Sequence, residues 1–237
     1  MIRIDLQKVF SMVPREDELE SLLGSLEKAE HYEIHITVKS DGEIEQFKEA
    51  CATLEVKPLL VQLSNGDVPD DVMTSSSITC TPSELRDECV RILVGLEAMS
   101  WNTIRCKVEC APFHEKVVNL EPRDILPFQY FESHIPVRVT EGDDLFCLGL
   151  LCQCLEMHLS ANAFKVNDAE RTLMTTFRSV GHNATDFRAA VDVRVLALAG
   201  DHPSYDWGEF VVESPVVEFA IFDSNRAHDN QWIGIVP

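Results

Sequence analysis

Glu33-Ile34-His35-Ile36-Thr37-Val38 alternates polar and apolar side chains, and Glu132-Ser133-His134-Ile135-Pro136-Val137 returns to the same motif 99 residues later. Alternation with a period of two is the pattern of a half-buried strand, so Ile34, Ile36 and Val38 meet a core while Glu33, His35 and Thr37 share the other face. Two further echoes follow in the same order. Val72-Met73-Thr74-Ser75 matches Leu173-Met174-Thr175-Thr176, and Val108-Glu109-Cys110-Ala111 matches Val217-Glu218-Phe219-Ala220, at offsets of 101 and 109. Three matches in one order predict two copies of one structural unit, and a repeat of this kind sets the architecture.

Working outward from the first strand, Leu19, Leu22, Leu23 and Leu26 recur at helical spacing and predict a helix over 16–30. Asp41-Gly42 signals a turn, and Ile44, Phe47, Cys51 and Leu54 stripe a helix over 43–54. Strands follow at 58–63, ended by Ser64-Asn65-Gly66, and at 72–79. Thr81-Pro82-Ser83-Glu84 opens a helix, with a hydroxyl at the cap, proline at the first position and an acid three residues after the cap. A strand over 104–111 closes the first unit. The second unit predicts a strand at 131–139, a helix at 144–159, a weak strand at 164–166, a strand at 172–179, a helix at 183–198 and a strand at 211–222 broken at Pro215. Strand, helix, strand, strand, helix, strand is the order of the split βαβ unit. The expected fold is α+β, a tandem duplication of a ferredoxin-like βαββαβ unit about a pseudo-twofold axis. Its expected divisions are an N-terminal helical extension at 1–30, a first repeat at 31–111, a linker at 112–129 and a second repeat with a C-terminal tail at 130–237, where Trp232 packs the tail back.

A chain of 237 residues that is 45% hydrophobic can bury a substantial core. Its 40 acidic and 20 basic residues leave a net charge of −20, which repels polyanions and excludes non-specific nucleic-acid binding. No apolar run approaches the roughly 18 residues of a membrane span. Met1 to Pro14 is charged and has no apolar signal core, so a cytoplasmic protein is expected, with its eight cysteines as free thiols. A homo-oligomer through an exposed sheet face stays open.

The candidate site comes from the polar strand faces. Glu33 and His35 are matched by Glu132 and His134, and the last strand of each unit adds Glu109 or Glu218. If the units pair about their pseudo-twofold axis, four carboxylates and two imidazoles face one cleft. Imidazole with carboxylate oxygens suits a divalent metal, the expected cofactor if there is one. The same groups suit metal-free acid–base chemistry with His35 and His134 as the catalytic pair. Thr37, His158, Lys165, Arg171 and Arg178 form an expected ligand-binding set, since an imidazole and cations in an acidic chain can hold a carboxylate or phosphate. The plainer alternative is a sheet face that is simply wet. Cys147, Cys154 and His158 share one face of the expected helix at 144–159 and read as a packing stripe rather than a zinc pair.

His35-Ile36-Thr37-Val38 resembles the His-x-Thr motif of the 2H phosphoesterases. That resemblance implies two lobes whose histidines act as general base and acid on 2′,3′-cyclic phosphates or 2′-5′ linkages. The second copy departs from it, because Pro136 stands where the phosphate-holding hydroxyl would be. His and Glu on outer strands also resemble the vicinal oxygen chelate metal scaffold, whose repeat has one helix where two are expected here. Tyr130-Phe131-Glu132-Ser133-His134, His158 to Lys165 and Phe222-Asp223-Ser224-Asn225 are similar to a conserved family without an assigned activity. The expected function is a small-molecule enzyme or ligand-binding protein with a Glu/His site between the repeats. The alternatives are a 2H-type phosphoesterase and a non-catalytic interaction or scaffold module.

Overall fold

The computed structural model describes residues 4–23, 29–39, 42–63, 70–114, 116–140, 145–166, 170–201 and 210–231. Two helices lead, α1 (Leu6–Ser11) and α2 (Glu16–Leu23). The first half continues as β1 (Glu30–Lys39), α3 (Ile44–Thr53), β2 (Lys57–Leu63), β3 (Asp70–Cys80), α4 (Pro82–Ala98) and β4 (Asn102–Cys110). The second half runs β5 (Tyr130–Thr140), α5 (Leu145–Cys154), β6 (His158–Val166), β7 (Glu170–Ser179), α6 (Ala184–Leu198), the short β8 (Val211–Val212) and β9 (Val216–Asp223).

All strand pairings are antiparallel, in the order β7-β6-β2-β3-β1-β4-β9-β5, and β5 pairs back onto β7. The sheet therefore closes into one eight-stranded antiparallel barrel. This corrects the expected tandem ferredoxin-like α+β fold. The strand faces were readable because they alternate locally, but the edges were not. β2 and β4 are edges of the first set of four strands, and an edge exposes a row of unpaired N–H and C=O groups. Here β4 pairs with β9 and β2 with β6, so both edges are consumed. The polar faces, expected to meet in a cleft between two units or else to stay wet, instead line the inside of one barrel.

The apolar faces point outward, under the helices. Ile34, Ile36, Cys106 and Val108 are buried with Leu85, Cys89, Ile92, Leu93 and Leu96 of α4 in one core. In the second half Phe187 of α6 stacks on Phe131 at 5.3 Å and on Phe177 at 5.1 Å between ring centroids. Each such side chain contributes about 1.5–3 kcal/mol when fully buried. Thr81 and Glu84 form the capping box that the sequence predicts, and the Asn183 side chain accepts from the Asp186 N–H to start α6. The repeat also shows in the backbone. Glu55 (φ 58) and Glu156 (φ 55) end α3 and α5 in the left-handed region.

Two expected boundaries change and one holds. The helix expected to reach Leu159 stops at Cys154, and His158 opens β6, a full barrel strand rather than a weak segment at 164–166. Pro215 does divide the last strand, with β8 before it and β9 after it. The helix expected over 16–30 is shorter: α2 spans Glu16–Leu23, and Glu30 already opens β1. Leu26, Asp41, Ser64-Asn65-Gly66 and Trp232 lie outside the described residues. Among the described residues no helix is long and apolar enough to cross a membrane.

Candidate functional site

Closure turns the alternating polar faces toward each other. Glu33 lies opposite Glu109 across β1 and β4, and Glu132 lies opposite Glu218 across β5 and β9. The repeated residues thus occupy equivalent registers, and each pair brackets an imidazole. His35 Nε2 stands 3.2 Å from Glu109 Oε2 and 3.8 Å from Glu33 Oε1. His134 Nε2 stands 3.2 Å from Glu132 Oε1 and 3.7 Å from Glu218 Oε2. Lys107 joins the two trios, with Nζ 2.9 Å from Glu109 Oε1 and 3.2 Å from Glu132 Oε2.

A second layer closes one end. Arg105 grips Asp223 through Nε and Nη2 at 2.9 and 2.6 Å, and the Tyr130 hydroxyl donates to the same carboxylate at 2.9 Å. Asp223 reaches the lumen because the β4–β9 register shifts next to Val108 and Glu109, and an irregularity of this kind re-aims the side chains beyond it. Past β9 a short 3-10 helix (Arg226–Gln231) brings His228 Nε2 to 3.2 Å from Asp71 Oδ1 of β3. The opposite end is more open. Side-chain exposure falls from Glu33 (32%) and His134 (27%) through Glu218 (16%) and His35 (12%) to Glu109 (1%) and Glu132 (0%). Solvent therefore reaches the lumen past Glu33, His134 and Glu218, and Glu109 and Glu132 lie deepest.

Burial and charge split the protonation states. Burial, with the Glu109 charge next, pushes Glu218 up to about 8. Burial lowers the His134 imidazole, and that outweighs the opposing pull of Glu132. Burial opposes ionisation of Glu109 too, but the Lys107 charge outweighs it and holds this carboxyl at about 2. Glu132 is likewise held well below the carboxylate range, with Arg178 and then Lys107 overcoming its burial. Burial therefore favours a neutral imidazole at His134 beside a protonated carboxyl at Glu218, and both are reachable from the mouth. Groups whose environments drive their pKa values apart mark acid and base roles.

The expected metal centre is not there. Among the described residues no group of three or more His, Cys, Asp or Glu side chains is placed to hold a metal ion. The physical reason is Lys107, whose ammonium occupies the space between the inner carboxylates that a cation would take. The members of the expected ligand-binding set lie on β1, β6 and β7. Thr37 is buried on β1, and His158 lies opposite Thr176 on β6. Arg178 is inside, donating to Glu132 Oε1 at 2.9 Å. Arg171 is exposed, in register with Val139 and on the other strand parity from Arg178. Lys165 lies on β6 with a side chain outside those described. The site expected from the sequence leaves out Lys107, Arg105, Tyr130 and Asp223. The alternation Lys107-Val108-Glu109 was a usable signal for the first, while the register shift hid the last.

The fold and the cluster define a class, a closed antiparallel barrel with helices outside and a charged, proton-carrying lumen. Comparison with protein-family models and with curated proteins returns no match.

Proposed function

We propose that this protein acts on a small molecule in the barrel lumen by metal-free general acid–base chemistry. In this reading His134 is the proton acceptor and Glu218 the proton donor, with His35 as the second imidazole. The observation that carries it is the placement of His134 Nε2 3.7 Å from Glu218 Oε2 at the reachable end of the lumen, where burial favours the neutral form of both groups. A base and an acid that are both in the competent form near pH 7 typically supply about 10²- to 10⁴-fold in rate for a proton-transfer step. Glu132 Oε1 lies 3.2 Å from Nε2 and orients the ring, which leaves Nδ1, 3.0 Å from Thr176 Oγ1, as the nitrogen that takes the proton.

The test is side-chain NMR across pH 4 to 10, with Glu218→Gln and His134→Gln as assignment controls. Glu218 is expected to titrate near 8 and His134 below the usual imidazole range. Glu218 titrating as an ordinary surface carboxylate would sink the assignment. A 2H-type phosphoesterase remains the second reading, supported by both imidazoles lying on one lumen with Lys107 between their inner carboxylates. Hydrolysis of a 2′,3′-cyclic nucleotide that disappears in both His35→Ala and His134→Ala would favour it.

A further inference from the structure

The two halves of the barrel carry the same helix with two different outer faces. α3 and α5 pack alike: Phe47, Ala50 and Cys51 are buried on α3, and Leu148, Leu151 and Cys152 are buried on α5, at a constant offset of 101. The left-handed residues that end the two helices, Glu55 and Glu156, keep that offset. On the solvent side the equivalent positions diverge. On α3, Glu45 and Lys48 pair at 2.7 Å beside exposed Glu49. α5 has Phe146, Gly149 and Leu150 in their places, and Phe146 is 73% exposed and Leu145 42%. The same scaffold accepts a charged, ion-paired surface here, so packing within the chain does not call for an apolar one. An exposed apolar face without an internal reason marks an interaction site.

Gly149 adds shape to that face. Glycine disfavours a helix interior, yet a Cβ at Gly149 would meet no atom within 4 Å. Phe146 and Gly149 are three positions apart and lie on one side of the helix. α5 thus carries a ring that stands out and, one turn on, a notch. The neighbouring α6, whose Arg194 Nε donates to Leu155 O at 3.0 Å, also exposes Val193 and Leu196. Charge names the occupant. Leu145–Cys154 contains no Asp, Glu, Lys or Arg. Copies of a chain with net charge −20 repel one another where their acids meet, so an uncharged face is where two copies approach at least cost. A basic partner finds no carboxylate to meet on this helix.

We propose that α5 is a self-association surface, on which a second copy of this chain packs its own α5 antiparallel about a twofold axis. Phe146 of each protomer fills the notch over the partner's Gly149, with Leu150 beside it. A twofold contact needs a patch complementary to itself, and a knob and a notch on one helix face supply that. The helix has ten residues, roughly 15 Å, so the dimer depends on concentration, and Val193 and Leu196 widen the contact.

Sedimentation velocity of the full chain from low micromolar to about 100 μM tests this, the range in which a small interface associates. A discrete dimer is expected to grow with concentration and to strengthen with added salt, which screens the repulsion between two acidic chains. Phe146→Glu with Gly149→Lys, which writes the α3 surface onto α5, is expected to stay monomeric with an undiminished urea midpoint. Gly149→Ala fits the open space and fills the notch. It is expected to raise the urea midpoint of the monomer and to weaken the dimer by about tenfold, the effect of a central contact. A chain that is monomeric throughout would overturn the proposal, and flotation of that monomer with uncharged phosphatidylcholine vesicles would assign the face to a lipid surface instead. A dimer untouched by the double substitution would place the interface elsewhere. Association that weakens with salt, or that grows into open-ended oligomers, would overturn the uncharged twofold contact.

Discussion

Lys107 is the residue on which the lumen depends. It touches both inner carboxylates, and all three groups are buried. Burial alone would strip its proton, but Glu109 and Glu132 reverse that and raise it above the ordinary lysine value. Removing one partner from a buried ionic group leaves the others uncompensated. Lys107→Met is therefore expected to cost about 3–5 kcal/mol in urea unfolding. Adding Glu109→Gln to the same chain is expected to recover part of that loss, and a double variant no more stable than Lys107→Met alone would refute the coupling. At this scale much of the site was readable. Glu33, His35, Glu109, Glu132, His134 and Glu218 face one space because period-two alternation fixes the face of each residue. The metal did not follow, because the same alternation puts Lys107 among the carboxylates and the acids alone were counted as ligands. Asp223 was unreadable, since its inward aim depends on a register shift that pairing with β4 creates.

Among the elements, helix starts were the clearest. Thr81 accepts from the Glu84 N–H, Glu84 reaches back to the Thr81 N–H at 2.9 Å, and Pro82 follows the cap. Thr81→Ala is expected to cost about 1 kcal/mol, the usual worth of an N-cap, read as a lowered urea midpoint with an unchanged slope. A loss below a few tenths would mean that tertiary packing, not the cap, sets the start of α4. The α5–β6 boundary was obscure for a definite reason. Leu145-Phe146-Cys147-Leu148-Gly149-Leu150-Leu151-Cys152 is apolar all round, so it has no stripe to show where a helix ends. The stop comes from Glu156 in the left-handed region, as Glu55 stops α3, and non-glycine residues there give no composition signal. Alignment of the two halves, rather than periodicity, would have located it.

Over the whole molecule, closure was beyond the sequence because it joins edges distant in the chain: β2 meets β6, and β4 meets β9. Closure buries charge, and that gives stability a two-sided pH dependence. Glu109 falls from an ordinary 4.5 to about 2 on folding, so its contribution is present above 4.5 and is lost as pH falls from there toward about 2. Glu218 moves the other way. Its contribution is present below 4.5 and is lost as pH rises toward about 8. Urea midpoints are expected to fall on both flanks, and Glu218→Gln is expected to flatten the alkaline flank only. An unchanged alkaline flank in that variant would contradict the buried, protonated state. The two joins between the halves also differ in strength. At β4–β9, Cys106 N donates to Ser224 Oγ at 2.8 Å, Asn225 Nδ2 donates to Ile104 O at 3.2 Å, and Arg105 grips Asp223. At β2–β6 the described pairing runs only over Val61–Leu63 against Ser160–Asn162, and it carries no comparable ion pair among the described residues. Proteins open where cooperative support is thinnest. Amide exchange across β2–β6 should therefore be faster than across β4–β9 or the long β5–β7 ladder, which runs from Phe131 to Thr140. Equal protection at both joins would mean that the barrel opens as one unit.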